Sequence, residues 1–326
     1  MGGFVDTGTK SAGGSSAADC KVVKGFKVCY TNADVLSNKV DLLIARISVY
    51  DPDIICINEV KPKYCRYEAF VAEYNLSELG YEMFDNNMEN KQERGQVLYV
   101  KCNIKAKRLY TDIKFEEVLL VEIVLRSSDR LLIALMYRSP SSTDDNNRLL
   151  NTAITKVANM GYSHLLILGD FNYKTISWNE LSAPEGSVEE CFMETSLENC
   201  LSQHVTDITR RRGNEEPSMI DLIFTNEEGM IDSITYNSPL GKSDHLCLTF
   251  GFECYWTQKE NKKVKRMYHR ANYEDMKKAL ECTEWDDALS SIDLQGSKTE
   301  QMWKSFRNII DRLINKQVCT SNYKKS

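Results

Sequence analysis

The chain has no long hydrophobic run, no paired-cysteine spacing and no excess of positive charge. No stretch approaches the ~18 consecutive apolar residues that a membrane span requires. The start, Met1-Gly2-Gly3-Phe4-Val5-Asp6, has neither a basic nor an apolar region, so no secretory signal is read there. Asp6 also stands where a myristoylation pattern needs Ser or Thr. The 11 cysteines are odd in number and scattered without CxxC spacing, which points to free, buried thiols in a reducing compartment, not disulfides or a zinc site. A net charge of -6 argues against a basic nucleic-acid coat protein, but leaves room for positive charge confined to one face. No internal repeat is visible.

What is present is an ordinary globular composition over 326 residues, enough to bury a sizeable core in one large domain or two smaller ones. Residues Gly2 to Asp19 are rich in Gly, Ser, Ala and Thr and read as a flexible leader. The expected division is a leader over 1–20, a main domain over 21–255, and a basic then helical tail over 256–326. In the main domain strand-like and helix-like stretches alternate. Val22–Tyr30, Asp53–Ile57, Gln96–Val100, Val118–Leu125, Leu131–Tyr137, His164–Leu168, Met219–Thr225 and His245–Phe252 read as strands. Val40, Leu43, Ile44 and Ile47 recur at helical spacing until Asp51-Pro52, and Asp144–Met160 and Val188–Leu201 also read as helices. This mixture predicts an α/β fold of two packed sheets covered by helices. In the tail, Tyr273, Met276 and Leu280, then Met302, Phe306, Ile309, Ile310 and Leu313, predict two further helices.

Polar residues of useful chemistry collect at the predicted strand ends. Leu165-Leu166-Ile167-Leu168 breaks at Gly169 and delivers Asp170 and Asn172, which share a face at i, i+2 spacing. A carboxylate can take a proton from an attacking water, and an amide can donate to a developing oxyanion. Asn32 and Asp34 have the same spacing, Glu59 ends the Ile54–Ile57 run, and Tyr137-Arg138 ends another. Asp221 opens an apolar segment, and one of only four histidines, His245, follows Asp244. Each has a plain alternative: Asn32 and Asp34 as helix caps, Glu59 as a surface acid, Tyr137 as a core aromatic with a wet tip, Asp221 in an ion pair with Arg210, Arg211 or Arg212, and His245 as a partly buried histidine. Their joint occurrence in one order is harder to assign to packing alone.

That order resembles the endonuclease/exonuclease/phosphatase (DNase I-like) superfamily. The wording of Tyr30-Thr31-Asn32-Ala33-Asp34, Glu59-Val60-Lys61-Pro62-Lys63, Tyr137-Arg138-Ser139-Pro140, Gly169-Asp170-Phe171-Asn172-Tyr173 with Trp178, and Ser243-Asp244-His245 is similar to the apurinic-type endonuclease of non-LTR retrotransposons. The resemblance runs from about Val22 to Phe252. It implies a four-layer α/β sandwich with a helical C-terminal extension, and a phosphodiesterase site at one rim. By resemblance, Asp170 activates or orients the water and Asn172 holds that water or the phosphate. Glu59 binds a divalent cation, Mg²⁺ or Mn²⁺, with Asp34, Asn32 and Asp244 on the same side. His245, protonated and oriented by Asp221, donates to a phosphate oxygen, and Tyr137 contacts the scissile phosphate.

The implied partner is DNA, in a nuclear setting, with Arg138 and the Arg210-Arg211-Arg212 loop against its backbone. The tail resembles a lead into a reverse transcriptase encoded downstream; no Tyr-x-Asp-Asp box occurs in the chain itself. Lys262-Lys263-Val264-Lys265-Arg266 is a weak import candidate, and Trp178 suits packing better than groove insertion. Relatives often carry two glycines where this chain has Gly95-Gln96; Gln96 opens a strand, so an intact site is expected. Two other readings remain at this point: a hydrolase of another phosphoester, such as abasic DNA or a phosphoinositide, and an inactive truncated copy that only binds.

Overall fold

The continuous apolar runs form the centres of two mixed sheets. The computed structural model describes residues 21–62, 71–88, 92–258, 264–266, 271–290, 298–317 and 320–322; the expected leader, Lys63 and Lys262-Lys263 lie outside them. The chain divides into two compact units, residues 1–260 and 261–326. The first holds strands β1 (Lys21–Asn32), β2 (Ile54–Asn58), β3 (Tyr81–Asn86), β4 (Gln96–Lys101), β5 (Ala106–Arg108) and β6 (Val118–Val124). It continues with β7 (Arg130–Tyr137), β8 (His164–Asp170), β9 (Ser202–Gln203), β10 (Asp221–Thr225), β11 (Thr235–Asn237) and β12 (Cys247–Gln258). The strand orders are β11-β12-β1-β2-β4-β3 and β5-β6-β7-β8-β10-β9.

Both sheets are built around one parallel pair. Helix α1 (Val40–Tyr50) connects β1 to β2, and α2 (Asp144–Ala158) connects β7 to β8; antiparallel strands flank each pair. Parallel strands buried on both faces need near-continuous apolar sequence, which is what Ile54–Ile57 and Leu165–Leu168 supply. Three apolar clusters define the layers. Val28, Ile54 and Leu98 of the first sheet meet Val121, Ile133 and Leu168 of the second. Leu43 and Ile47 of α1 cover Ile55, Ile57 and Val97 on the outer face of the first sheet. Leu150 and Ile154 of α2, with Phe192 of α3 (Val188–Glu198), cover Leu132 and Leu222 on the outer face of the second. The result is the expected four-layer α/β sandwich. Trp178 packs within that last cluster, edge-on to Phe192 and Phe224.

Local signals explain most boundaries. Thr143 and Ser187 accept from the backbone N–H groups of Asn146 and Glu190 at the starts of α2 and α3, where acidic residues suit the helix dipole. Helix α1 stops at Asp51, which adopts a left-handed conformation before Pro52. It has no side-chain cap, so Asn32 and Asp34 are not its capping residues. Strands β3, β5, β9 and β11 were not expected; all lie toward sheet edges, and three have only two or three residues, too few to show a period. Strand β10 starts at Asp221 and β12 at Cys247, so His245 sits on the connection before its strand. The described cysteines are all free thiols; Cys29, Cys56, Cys247 and Cys254 are buried, whereas Cys102, Cys191, Cys200 and Cys282 are exposed.

The second unit contains α4 (Tyr273–Glu281), α5 (Trp285–Ser290) and α6 (Lys298–Gln317), with Trp285 against Phe306. The helical tail is thus present. Its strands β13 (Val264–Arg266) and β14 (Thr320–Asn322) pair antiparallel. Among the described residues, no helix is long and apolar enough to cross a membrane.

Gly169 fixes the approach of the parallel strands β7 and β8, next to the site. A Cβ there would lie 1.8 Å from the carbonyl oxygen of Met136, its partner in β7. Because that obstacle is backbone, Gly169→Ala should destabilise the protein by about 3 kcal/mol. Urea denaturation checks this, and an unchanged midpoint would contradict the close approach.

Candidate active site

Sheet register gathers the polar strand ends. Asn32 ends β1 opposite Asn58 at the end of β2, and Tyr137 ends β7 opposite Asp170 at the end of β8. Asp221, the first residue of antiparallel β10, lies on the other side of Asp170. Both parallel pairs therefore point their C-terminal ends at one rim, where open α/β sheets commonly bind ligands. The rim borders a cleft of about 1360 Å³ lined by, among others, Glu59, Tyr137, Asp170, Asn172, Asp244 and His245.

Beneath the cleft a polar chain crosses between the sheets. Gln96 Nε2 donates to Asn58 Oδ1 (3.0 Å) and Asn58 Nδ2 donates to the Tyr30 hydroxyl (3.3 Å). The Tyr30 hydroxyl donates to Asp221 Oδ1 (2.7 Å), and Asp221 Oδ2 lies 2.8 Å from His245 Nδ1. Asp221 is fully buried and has a partner for each oxygen, which is how a buried carboxylate stays tolerable. Its partner is His245, not Arg210, Arg211 or Arg212. Burial by itself would lower the His245 pKa, but Asp221, then Asp170, then the Asp221 hydrogen bond outweigh it and raise it to about 10. His245 is therefore an imidazolium at neutral pH.

Asp170 sits at the centre. Its Oδ2 accepts from Asn32 Nδ2 (2.9 Å), reaching across from the first sheet, and its Oδ1 accepts from the Asn172 backbone N–H (3.1 Å). His245 Nε2 stands 3.8 Å from Asp170 Oδ2 and 3.7 Å from Asp244 Oδ1. Burial raises the Asp170 pKa well above the carboxylate range; His245 pulls it back, and Asp221 and Glu59 push it further up. A carboxyl group so placed is a better proton acceptor than an ordinary aspartate.

Elsewhere along the cleft, Glu59 and Asp34 converge on one point. Arg94 Nη2 is 2.9 Å from Glu59 Oε2 and 2.8 Å from Asp34 Oδ1. Glu59 is thus not a surface acid. The two residues have positive φ, 53° and 40°, as does Asn172 at 54°. Such conformations cost of order 1–3 kcal/mol in non-glycine residues and persist where surroundings over-determine them, often at functional sites. Two carboxylates already meeting at a single cationic atom form a donor set that fits a hard divalent ion, and Asn32, whose Oδ1 accepts from the Asp34 N–H (3.0 Å), ties that pair to Asp170. Ligand atoms of Asp170, Asp221 and His245 also lie within 4.8 Å of one another. That trio fits a metal poorly, because His245 Nδ1 and both Asp221 oxygens already face hydrogen-bond partners.

Other expected residues fall into place unevenly. Tyr137 is buried with its phenol hydrogen-bonded to Glu59; burial first, then Glu59 and Asp170, hold it far above its usual pKa, so it remains a donor. Asn172 Nδ2 donates to the Arg138 carbonyl (2.8 Å), which fixes the loop after β8. Arg138 itself, expected at the DNA backbone, points inward instead. It is 6% exposed, donates through Nε to Asn147 Oδ1 (2.8 Å) and stacks over Tyr173 at 4.0 Å. Its sequence position beside Tyr137 gave no hint that the next residue along the strand end faces α2. Arg210 is held by Asp244 (2.9 Å) and Glu215 (3.3 Å), and Arg212 lies 3.9 Å from each of the same two acids. Among the described residues, only Arg211 of the three has no side-chain ion pair. Tyr30, Asn58, Arg94 and Gln96 were missed as site residues. Asn58 was visible as a lone amide closing an apolar strand; Tyr30 and Gln96 looked like ordinary strand residues.

The charge on His245 has a testable pH signature. Its folded pKa, about 10, exceeds the unfolded value near 6.5, so the stabilisation is complete below about pH 6.5 and is lost as pH rises through 10. Imidazole NMR should show His245 fully protonated at pH 8, with its titration moved to lower pH in Asp221→Asn. A midpoint near 6.5 in the wild-type chain would contradict the ion pair.

Comparison with known proteins agrees with this geometry. Residues 131–249 match the family described as Endonuclease-reverse transcriptase, a span that includes Tyr137, Asp170, Asn172, Asp221, Asp244 and His245. No curated protein matches the sequence. Similar solved structures include the endonuclease domain of TRAS1, a telomere-specific non-LTR retrotransposon, at 17% identity over 71% of this chain and 99% of that one (TM-score 0.54). AP endonuclease LMAP from Leishmania major is similar at 14% identity over 71% and 88% of the two chains (TM-score 0.56). An AP endonuclease from Archaeoglobus fulgidus is similar at 14% identity over 69% and 98% (TM-score 0.51). In sequence over residues 131–249, and in fold across its two-sheet unit, the chain therefore resembles the DNase I-like endonuclease/exonuclease/phosphatase superfamily, and within it the endonucleases of non-LTR retrotransposons.

Proposed function

We propose that the protein is a divalent-metal-dependent phosphodiesterase, an endonuclease that nicks DNA for retrotransposon insertion. The observation that carries this reading is the gathering of three unlike groups at one cleft: the Asp170 carboxyl, the His245 imidazolium 3.8 Å from it, and the carboxylates of Glu59 and Asp34 converging on one point. Hydrolysis of a phosphodiester needs an activated water, stabilisation of the charge that builds on phosphorus-bound oxygens, and help for the leaving oxygen.

Asp170 supplies the first need. Asn32 and the Asn172 N–H hold its carboxylate rigidly, and its raised pKa suits it to accept a proton from water. His245 supplies the second. It is charged at neutral pH, and Asp221 fixes its ring so that Nε2 faces the cleft side of Asp170. Tyr137 adds a neutral donor at the same rim. Mg²⁺ or Mn²⁺ held by Glu59 and Asp34 would supply Lewis-acid polarisation of the phosphate and the leaving oxygen. Asp244, which the resemblance assigns to the metal side, is held by Arg210 and lies 3.7 Å from His245 Nε2.

A cleft of this size suits a polymer, and Lys114, Arg211 and Lys242 contribute positive charge along it. DNA as substrate implies a nuclear setting. The family description supports a chain acting beside a reverse transcriptase encoded downstream.

Removing one preorganised group of this kind typically lowers the rate by ~10²–10³. Asp170→Asn should therefore reduce nicking of supercoiled plasmid at least that far, with folding unchanged, and EDTA should abolish wild-type nicking. Activity retained in the variant, or in EDTA, contradicts the proposal. Abasic duplex and an inositol phosphate run in parallel separate the superfamily alternatives: faster turnover of either one displaces DNA nicking as the function. For binding, Arg211→Ala with Arg212→Ala should lower the slope of log affinity against log salt by about 1–2. An unchanged slope would place the DNA backbone elsewhere.

A further inference from the structure

Arg94 was not anticipated from the sequence, and its position is unusual. A single nitrogen, Nη2, contacts both Glu59 and Asp34, at 2.9 and 2.8 Å. The side chain is held there from both ends. Its Nε donates to the Lys61 carbonyl (3.1 Å), and its own carbonyl accepts from the Lys61 N–H (2.9 Å). The adjoining Gly95 carbonyl accepts from the Val60 N–H (3.2 Å), so the Arg94–Gly95 segment is zipped to the strand end that carries Glu59.

A divalent ion of this class binds carboxylate oxygen at about 2.0–2.1 Å for Mg²⁺. A guanidinium nitrogen within 3 Å of both oxygens occupies the same point between them, so the two cations exclude each other. Arg94 cannot leave by losing its proton, because guanidinium stays charged in proteins. Burial works against the charge, but Glu59 and Asp34 more than compensate and raise its pKa. It can leave only by rotation. Its side chain is 20% exposed and lines the cleft, so the direction open to it is the one from which a substrate phosphate enters.

We propose that Arg94 is an exchangeable internal cation. It holds Glu59 and Asp34 together before the metal binds, and turns toward a cleft phosphate when the metal takes its place. The proposal rests on the assignment of Glu59 and Asp34 to the metal. Because coupling between two bound ligands is reciprocal, this exchange makes metal and phosphate backbone favour each other's binding.

The test is Mn²⁺ binding by the full chain, without DNA, followed by isothermal titration in the wild type, Arg94→Gln and Glu59→Gln. Arg94→Gln should bind Mn²⁺ at least about five-fold more tightly, the lower end of typical site coupling, and Glu59→Gln should bind far more weakly. If Glu59→Gln loses Mn²⁺ while Arg94→Gln binds as the wild type or less tightly, the exchange is overturned and the metal site stands. If the wild type binds no Mn²⁺, or Glu59→Gln binds it unchanged, the metal assignment falls and the exchange with it. A second measurement needs no substitution. The Arg94 Nε–H resonance of the wild type should move as Mg²⁺ is added; a resonance unmoved at saturating Mg²⁺ overturns the proposal.

Discussion

The burial of Asp221 is the constraint on which the site depends. A carboxylate wholly removed from water is tolerable only if both oxygens are satisfied. Here one oxygen takes the Tyr30 hydroxyl from the first sheet and the other faces His245 from the loop before β12. One residue of the second sheet thereby ties both layers together at the rim. The same pairing gives His245 its charge, and that charge in turn sets the surroundings of Asp170. Removing one member leaves a buried polar group unmatched, so the fold and the chemistry share a single set of hydrogen bonds.

The site consequently has two unlike sides. The His245 side is closed, oriented and cationic, with its polarity locked into a chain that runs back to Gln96. The Glu59 side is made of carboxylates held in left-handed backbone conformations around a cation that can rotate away. Asp170 is bonded to Asn32, whose other end touches Asp34.

Much of this was legible in the sequence because strand ends announce themselves. A continuous apolar run followed by Asp170 or Glu59 marks both a buried strand and the polar group it delivers to the rim. Two packed sheets covered by helices followed from alternating strands and amphipathic helices, with α1, α2 and α3 close to their expected bounds, and the resemblance implied the four-layer form. Edge strands such as β5 and β9 were too short to show a period. Side-chain direction was also invisible: Arg138 adjoins Tyr137 in sequence but turns inward to Asn147. Gln96, where the resemblance implies a glycine, looked neutral because it opens a strand. In the structure it is buried and donates to Asn58 and to the Leu135 carbonyl, so the departure adds a link to the inter-sheet chain. Arg94 carried no sequence signal at all, since its partners lie 35 and 60 residues away.

In the proposed function Glu59 and Asp34, and not the cluster of Asp170, Asp221 and His245, hold the metal. Anomalous diffraction from crystals of the protein soaked in Mn²⁺ tests it most directly. One peak bonded to Glu59 and Asp34 is expected, with Asp221 still accepting from Tyr30 and His245. A peak among Asp170, Asp221 and His245, with His245 as a ligand, would contradict it.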